Sequence, residues 1–393
     1  MTHYLDAVPT SGVIRIRDMM FGRAHAFRLD QGDVSFETPT AVTEAMRRAL
    51  DDNQTHYVQT AGMPQLRELL AAKLRATNGI PDVRPEEVFV TAGGMHGLYV
   101  AAHAILEPGD EIIVPDPVWT STPGHIISTG ATPVECPLHP SLDWRYDLDE
   151  LGSKVTSRTR AVFLNSPHNP TGGVLTRSDL ERIATLAAAH DLWVISDEAY
   201  EDIVYDDTEQ VSIASLPDMF DRVLPIYTFS KSFAMTGLRL GYLAVRDSAV
   251  QARVEKLIGY TASNVSSVIQ CGGIGGLEAS PVWLDTFRTE LRARRDFVYD
   301  RLRRMGGVFA GEPPKGTFYA FPRIADEWEP PDGTLRGGSR SWAMAEHLIT
   351  RANVGCIPGT EFGSCGEPYV RFCFSRDHAE LEGALDAMET LLT

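Results

Sequence analysis

One lysine in the middle of the chain has the surroundings of an amine nucleophile. Lys231 lies in TFSKSFAMTGLRLG, residues 228–241, directly after a β-rich run and among small hydroxyl residues. In open α/β sheets ligands bind where strands end, so Lys231 is a candidate functional residue, the alternative being an ordinary surface lysine. Burial in an apolar setting lowers the pKa of a lysine, and the neutral amine that results attacks aldehydes.

A carboxylate follows another apolar run in the same way. Asp197 lies in LWVISDEAY, residues 192–200, just beyond the apolar part of the run. The commoner role of an aspartate at such a position is to cap the N-terminus of a helix. The alternative is a buried carboxylate that holds a cation, such as the protonated pyridine nitrogen of pyridoxal phosphate.

Two glycine-containing segments suit a polar ligand. NSPHNPTGG, residues 165–173, is typical of a turn, and the side-chain amide of Asn169 within it can also donate to a phenolic oxygen. TAGGMHG, residues 91–97, leads from a strand through glycines into a helix. Because free amides and the dipole at a helix start bind phosphate, this segment is a candidate anion site.

The elements that must hold these residues alternate between strands and helices. Apolar runs predict strands at 87–91, 111–114, 160–164, 192–196, 225–229 and 241–245, and helical patterns predict helices at 94–106 and 177–190. Strands that alternate with helices favour an α/β domain with a mainly parallel sheet. Since these runs are apolar throughout, we expect helices on both faces of the sheet.

After Asp247 the pattern changes to that of a second, smaller α/β unit. Long helical stretches extend to about residue 305. Shorter strand patterns follow at 316–321, 354–357 and 369–374, with helices at 341–351 and 377–392. The prolines and glycines of 328–340 predict an exposed loop.

Size and charge restrict the class of protein. The chain has 393 residues, 43% of them hydrophobic and 23% charged, which is the composition of a globular protein of two or three domains. A net charge of −17 disfavours nucleic acid as a partner. No uncharged apolar run reaches the ~18 residues that span a membrane, and the start, MTHYLDAVPTSG, lacks the pattern of a signal peptide. We therefore expect a cytoplasmic protein without membrane partners.

The cysteines and histidines indicate neither disulfides nor a metal site. Five cysteines, at 136, 271, 356, 365 and 373, form no CxxC pattern and are odd in number. This disfavours a disulfide framework or a zinc site and favours a reducing compartment. His96 and His103 have no cysteine or carboxylate ligands arranged beside them in the sequence, so we expect no bound metal.

Together these segments resemble the class I/II aminotransferases, the fold-type I enzymes that use pyridoxal phosphate and are typified by aspartate aminotransferase. The resemblance covers nearly the whole chain and includes LDQGDVSFETP, HYVQTAGMPQLREL, GTFYAFP and YVRFCFS. Their joint occurrence in the family's order is more specific than any single motif. The resemblance implies a large domain over residues 46–285, with a mainly parallel seven-stranded sheet flanked by helices, and a smaller α/β domain formed by residues 1–45 and 286–393.

The resemblance also implies roles for residues at matching positions in the cofactor site. Lys231 would attach to pyridoxal phosphate and then act as acid and base, and Asp197 would pair with the pyridine nitrogen. Tyr200 and Asn169 would hydrogen-bond the ring oxygen, and Trp119, in PDPVWTS, would stack on the ring face. The groups that would hold the phosphate are the side chains of Thr228, Ser230 and Arg239 and the amides of Gly94 and Met95.

Further matching positions concern the substrate and a second subunit. Arg371, in YVRFCFS, would clamp the substrate α-carboxylate, since a planar fork suits bidentate binding; the alternative is an ordinary surface arginine. Asn169 would also contact the substrate, and Gly32 would lie near its carboxylate. Tyr57 would reach the phosphate of the neighbouring subunit, which implies a homodimer with shared active sites.

Two positions depart from the family pattern. Thr228 stands where the family usually has Gly or Ser, and it keeps a hydroxyl. Met95 stands where some aspartate-specific relatives have a lysine. Trp119 and Val13–Ile14 would add apolar surface at the mouth of the site. We therefore expect an amino donor with a neutral, apolar side chain, unless an arginine of the N-terminal segment, Arg15, Arg17 or Arg23, supplies the missing charge.

The implied reaction is the transfer of an amino group between an L-amino acid and a 2-oxo acid by a ping-pong mechanism. Other reactions remain open because a fold does not determine a reaction. A β-lyase or a synthase acting at Cγ would use the same scaffold. An aspartate- or glutamate-specific aminotransferase is a further alternative.

Overall fold

A mixed sheet of eight strands forms the centre of the computed structural model, which describes residues 6, 8, 11–331, 333, 335 and 338–393. Its strands are β1 Val88–Thr91, β2 Glu111–Asp116, β3 Thr132–His139, β4 Arg145–Tyr146, β5 Thr159–Asn165, β6 Trp193–Asp197, β7 Val223–Thr228 and β8 Gly241–Ala244. They lie in the order β1-β8-β7-β6-β5-β2-β3-β4. The strands from β7 to β3 pair in parallel, whereas β8 is antiparallel to β7 and β1, and β4 is antiparallel to β3.

Helices of very different length connect and cover the strands. In the described part of the chain the helices are α1 Gly12–Met20, α2 Thr40–Asp51, α3 Pro64–Ala76, α4 Gly93–Ile105, α5 Thr122–Ile127, α6 Leu148–Ser153, α7 Arg177–Ala189, α8 Phe229–Ser232, α9 Ser248–Thr261, α10 Ser267–Glu278, α11 Val282–Arg304, α12 Arg340–Arg351 and α13 His378–Leu392. No helix of the described residues combines the length and the apolarity that crossing a membrane requires.

Both faces of the sheet are covered by helices. Leu70 of α3 and Ile183 of α7 belong to one apolar cluster with the sheet, and Leu98 of α4 and Val254 of α9 belong to another. Every residue of β1, β2 and β8 is buried, which explains why these strands are apolar throughout. The predicted fold class is confirmed.

The sheet has one strand more than the seven predicted. β3 gave no clear strand pattern because it contains Pro133 and Pro137 and buries only two of its eight residues, Cys136 and Leu138. The eighth strand, β4, is only two residues long and forms through its pairing with β3. Such a short strand has no periodicity of its own to detect.

The second unit is built around small sheets. One contains β10 Tyr319–Ala320, β13 Val370–Cys373 and β12 Ile357–Pro358, and the other contains β9 Phe309–Ala310 and β11 Arg323–Ile324. Their aromatic core also includes Ile16 of α1 and Tyr200 after β6. The domain limits 46–285, and 1–45 with 286–393, stay a prediction. Of the predicted loop 328–340, residues 332, 334, 336 and 337 lie outside the described residues, and α12 begins at its last residue.

The parallel strands end at one edge of the sheet and bring polar residues together there. Asp116 ends β2, Asn165 ends β5, Asp197 ends β6 and Thr228 ends β7. Asn165 and Asp197 are direct neighbours in the register of β5 and β6. This is the edge at which an open α/β sheet binds its ligands.

Candidate active site

A cavity of about 540 Å³ lies between these strand ends and residues of α1, β10 and β13. Tyr57 does not line this cavity and is 89% exposed. The other twelve of the thirteen predicted site residues line it: Gly32, Gly94, Met95, Trp119, Asn169, Asp197, Tyr200, Thr228, Ser230, Lys231, Arg239 and Arg371. Residues from both ends of the chain and from its middle therefore meet in one place.

Lys231 faces the cavity from α8, the short helix after β7. Its Nζ donates to the carbonyl of Gly32 at 2.7 Å and lies 5.5 Å from the ring of Phe318 and 5.8 Å from that of Tyr200. Burial lowers the pKa of Lys231 to about 8. No carboxylate of the described residues forms an ion pair with it. Lys231 is therefore an enclosed amine that loses its proton close to neutral pH.

Asp197 is a buried carboxylate that has no cationic partner among the described residues. Its Oδ1 accepts from the N–H of Ala199 at 3.2 Å, and the chain then continues in turns, so the helix-cap interpretation is wrong. Burial raises the pKa of Asp197 to about 6, against the opposing effect of Lys231. A buried carboxylate is stabilised by a cation, so Asp197 is arranged to receive a positively charged group from the cavity.

Anion-binding groups meet at the start of α4. Arg239 has a left-handed backbone, with φ +56°, and a Cβ added at Gly93 would lie 2.5 Å from its Nη2. Its Nη1 donates to Ser230 Oγ at 3.3 Å and to the carbonyl of Thr236 at 2.7 Å. Thr228 Oγ1 donates to Ser230 Oγ at 2.9 Å. A guanidinium, two hydroxyls and the amides of a first helical turn together suit a phosphate.

Arg371 is a buried guanidinium whose described partners are all neutral. It is 4% exposed; Nη1 donates to Asn169 Oδ1 and Nη2 to the carbonyl of Asp30, both at 3.0 Å. The rings of Tyr319 and Phe362 lie 4.3 and 5.0 Å from its Cζ, and Nε has no hydrogen-bond partner among the described residues. The surface-arginine interpretation is therefore wrong. A buried cation without a counter-ion is costly, so this position favours a bound anion.

Tyr319 belongs to the site although its role was missed in the sequence. Its hydroxyl lies 2.9 Å from that of Tyr200, and a Cβ at Gly32 would lie 2.2 Å from it. Burial raises the pKa of Tyr319 to about 12, so the phenol stays neutral. The aromatic residues of GTFYAFP were the available signal, but nothing in the segment indicates which ring faces the site.

Part of the cavity lining is apolar. Val13 of α1, Met95 and Leu98 of α4, and Trp119 belong to it. Trp119 is packed edge-on against His125, with ring centroids 6.2 Å apart. These side chains form an apolar part of the cavity lining.

Of the three N-terminal arginines, Arg17 is the one that lines the cavity. It follows Val13 by one helical turn, and its Nη2 donates to Asp18 Oδ1 at 3.1 Å with 57% of its side chain exposed. Arg15 instead pairs with Glu346 at 3.2 Å, and Arg23 donates to a backbone carbonyl of α12. Arg17 is therefore the cation of α1 that lies nearest to a ligand at the rim.

The histidines singled out in the sequence bond hydroxyl groups. His96 Nε2 lies 2.7 Å from Thr261 Oγ1, and His103 Nε2 lies 2.9 Å from Ser128 Oγ. Across residues 6, 8, 11–331, 333, 335 and 338–393, no group of three or more His, Cys, Asp or Glu side chains is suited to hold a metal ion.

Comparison with known proteins gives one consistent family. Residues 24–388 match the family model described as aminotransferase class I and II. The chain is 38% identical to aspartate aminotransferase of Pyrococcus abyssi, covering 100% of this chain and 98% of that protein. It is 37% identical to aromatic-amino-acid aminotransferase 2 of Thermococcus litoralis, covering 99% and 97%. The crystal structure of aromatic aminotransferase from Pyrococcus horikoshii has a TM-score of 0.87 at 38% identity, covering 96% of this chain and 98% of that one.

The lowered pKa of Lys231 predicts selective reaction with aldehydes. The chain has five lysines, at 73, 154, 231, 256 and 315, so each can be followed by peptide mapping. On treatment of the protein without added cofactor with acetaldehyde and cyanoborohydride, we expect alkylation of Lys231 to rise with pH and reach half its maximum at about pH 8, because only the neutral amine reacts. Lys231→Met serves as the control that removes this peptide signal. A midpoint near the ordinary lysine value of about 10.4 would contradict the assignment.

Proposed function

Since this chain belongs to the class I and II aminotransferases, we propose that it transfers the amino group of an L-amino acid to a 2-oxo acid, with pyridoxal phosphate bound at Lys231. One observation carries this proposal: the same cavity is lined by an amine of lowered pKa, Lys231, and by a carboxylate, Asp197, and a guanidinium, Arg371, that have no charged partner among the described residues. The amine would react with the aldehyde of the cofactor, the carboxylate would pair with its pyridinium nitrogen, and the guanidinium would bind the α-carboxylate of the substrate.

The residues of the cavity fit pyridoxal phosphate. Arg239, with the hydroxyls of Thr228 and Ser230 and the amides of Gly94 and Met95, would hold the phosphate at the start of α4. The close approach of Arg239 to Gly93 supports this, since any side chain at Gly93 would displace the guanidinium. The flat indole of Trp119 would cover one face of the ring.

Lys231 and Asp197 would perform the proton chemistry. When bound, pyridoxal phosphate supplies an electron sink for the carbon that loses a proton. Lys231 Nζ would take the α-proton from the amino acid and return a proton as an acid later in the same half-reaction. Asp197 is ionised above about pH 6 and would hold the proton of the pyridine nitrogen in place.

Asn169 and Tyr200 would orient the ring through its phenolic oxygen. Asn169 Oδ1 already accepts from Arg371, which leaves the Nδ2 group of the same amide to donate. The hydroxyl of Tyr200 is held by that of Tyr319 at 2.9 Å.

Arg371 would bind the α-carboxylate of donor and acceptor alike. A guanidinium has five N–H groups, of which Arg371 uses one toward Asn169 and one toward the carbonyl of Asp30. The remaining groups, including the unpartnered Nε–H, are available to a carboxylate. Because donor and acceptor would occupy the same position in turn, we expect ping-pong kinetics.

A single half-reaction tests the proposed function against a β-lyase or a Cγ synthase. The holoenzyme is mixed with one amino acid at a time in the absence of any 2-oxo acid. Transamination predicts loss of the visible absorbance of the protein, with release of one 2-oxo acid per site. A β-lyase would keep that absorbance and release pyruvate continuously. Borohydride reduction of the holoenzyme before any amino acid is added, followed by peptide mapping, should locate the pyridoxyl label on Lys231, and a label on another lysine would contradict the proposal.

For the amino donor we propose a neutral, apolar side chain. Val13, Met95, Leu98 and Trp119 are apolar residues of the cavity lining. The relatives carry names that include both aspartate and aromatic aminotransferases, so the family alone does not select the donor. Glutamate or 2-oxoglutarate would serve as the exchange partner.

Arg17 favours a second candidate, an enzyme for acidic amino acids. Its guanidinium lines the cavity. Its ion pair with the exposed Asp18 contributes little stability, so Arg17 could exchange Asp18 for a substrate carboxylate at little cost in free energy. Met95 offers no charge at the position where a lysine would provide one. The two candidates therefore differ in the role of one arginine.

We further propose a cytoplasmic homodimer in which Tyr57 of each subunit reaches the phosphate of the other. Tyr57 and Tyr260 are 89% and 87% exposed in the single chain, an unusual position for large aromatic rings. All five cysteines are free, which supports a reducing compartment.

Replacement of Arg371 tests the carboxylate clamp. We expect Arg371→Leu to lower kcat/KM for every α-carboxylate donor by about 100-fold, or about 2.7 kcal/mol, because a charge-assisted bidentate contact is lost. The absorbance of the bound cofactor should not change. Arg376→Leu is the matched control, since Arg376 pairs with Glu380 and does not line the cavity. An equal loss for amines without a carboxylate would refute the clamp.

Donor preference separates the two substrate candidates. We expect kcat/KM for leucine, methionine or phenylalanine to exceed that for aspartate, and Arg17→Met to leave this order unchanged. Arg15→Met is the control on the same helix. A tenfold preference for aspartate, about 1.4 kcal/mol, that disappears in Arg17→Met but persists in Arg15→Met would show that Arg17 recognises acidic donors.

A further inference from the structure

A buried carboxylate outside the cavity ties the large sheet to the substrate side of the site. Asp116 ends β2 and is 2% exposed. Its Oδ2 accepts from the hydroxyl of Ser364 at 2.7 Å, and both carboxylate oxygens lie 3.2 Å from the N–H of Cys365. No lysine or arginine of the described chain forms an ion pair with Asp116. The hydroxyl of Ser364, the N–H of Cys365 and a hydrogen bond from the Cys365 thiol therefore offset the burial of the charge.

The contact is close enough to require a glycine. Gly363 has φ +134°, and a Cβ at this position would lie 2.0 Å from Asp116 Oδ1. The backbone of residues 359–366, which we call the strap, thus lies directly against the carboxylate. The strap consists of two 3-10 turns, Gly359–Phe362 and Ser364–Gly366.

One residue of the strap supports the guanidinium of Arg371. The ring of Phe362 lies 5.0 Å from Arg371 Cζ and is 1% exposed. Its carbonyl accepts from the N–H of Val118 at 2.6 Å, which joins the strap to the segment that carries Trp119. A shift of the strap would therefore move one wall of the position proposed for the substrate carboxylate.

Glu361, the strap residue before Phe362, contacts the start of α1. Glu361 Oε2 accepts from the N–H of Gly12, the first residue of α1, at 2.6 Å, and Oε1 accepts from Trp342 Nε1 at 2.9 Å. Ser11, the N-cap of α1, makes no side-chain cap bond, so Glu361 provides this cap from the strap. Through Glu361 the strap also sets the place of Val13 and Arg17 at the rim.

We propose that Asp116 is a positioning residue for substrate binding, an inference that rests on the aminotransferase function proposed above. Asp116 does not line the cavity. It acts through the strap, holding Phe362 beside Arg371 and Glu361 against α1. Because the strap contacts Arg371 through Phe362 and α1 through Glu361, loss of Asp116 weakens carboxylate binding more than it weakens cofactor binding.

The experiment compares the wild-type holoenzyme with four variants. Asp116→Ala removes all the contacts of the carboxylate with the strap, Ser364→Ala removes one, and Asp116→Asn keeps an oxygen for the N–H of Cys365 and an NH₂ for Ser364. Glu111→Ala is the matched control. Glu111 is the first residue of β2, whereas Asp116 is the last, and it is 7% exposed. Its carboxylate accepts from Thr156 and Arg158, neither of which belongs to the strap. The measurements are KM and kcat, the dissociation constant for pyridoxal phosphate, and calorimetric binding of 3-phenylpropionate, which requires no turnover.

For Asp116→Ala we expect KM and the dissociation constant of 3-phenylpropionate to rise about tenfold. We expect kcat and the affinity for pyridoxal phosphate to change less than about threefold. Ser364→Ala should show a smaller rise, and Asp116→Asn should restore near-normal binding. If Glu111→Ala raises KM equally, or if 3-phenylpropionate binds Asp116→Ala normally, the positioning role is refuted. If the wild-type enzyme transaminates no amino acid in any half-reaction, the proposed function is refuted. That result is distinguishable from loss of the positioning role, because binding of 3-phenylpropionate is measured without turnover.

Discussion

The structure depends on a buried positive charge that has no negative partner in the described chain. The guanidinium of Arg371 is held by an amide oxygen, a backbone carbonyl and two aromatic rings, all of them neutral. Such a charge costs folding free energy that the rest of the protein must offset. The surrounding fold does so with three apolar clusters and keeps the cation available for an anion that binds from the cavity.

Two other charged groups of the cavity, Asp197 and Lys231, are also buried without an ion-pair partner among the described residues. Among the described residues, Asp197 forms no ion pair with a cation and Lys231 forms none with a carboxylate, although both line the same cavity. Burial shifts their pKa values toward each other, to about 6 and about 8. Groups that are individually unfavourable but complementary to one ligand are typical of functional sites. A ligand that satisfies all of them would stabilise the folded protein by linkage.

The scaffold brings these groups together by two simple constraints. Parallel strands β2, β5, β6 and β7 end at one edge, which fixes where their last residues lie. Close backbone contacts then fix the approach of the remaining elements. A Cβ at Gly241 would lie 2.8 Å from the nitrogen of Gly94, so β8 can support the start of α4 only with a glycine there. Gly363 plays the corresponding part between the strap and Asp116.

Much of this was predictable from local patterns. Apolar runs followed by Asp197 and Lys231 indicated two strand ends, and the glycines of TAGGMHG indicated a helix start, because such signals depend on neighbouring residues alone. The strands of the second unit were predicted longer than they are, since alternation and apolarity do not report where a short strand loses its partner. β3 was missed because its prolines are tolerated only in its place near the sheet edge.

Contacts between residues that are far apart in the chain are determined by the tertiary structure alone. The sequence contains Arg15, Arg17 and Arg23 with no means of ranking them, and the packing of Ile16 and Met20 into the core turns Arg17 toward the cavity. Tyr319 meets Tyr200 across 119 positions, and Asp116 meets Ser364 across 248. A local pattern determines which residue types an element offers, but their partners depend on how separate elements pack. The residue types that line this cavity could therefore be identified in the sequence, whereas the contacts that position them are set by the tertiary structure.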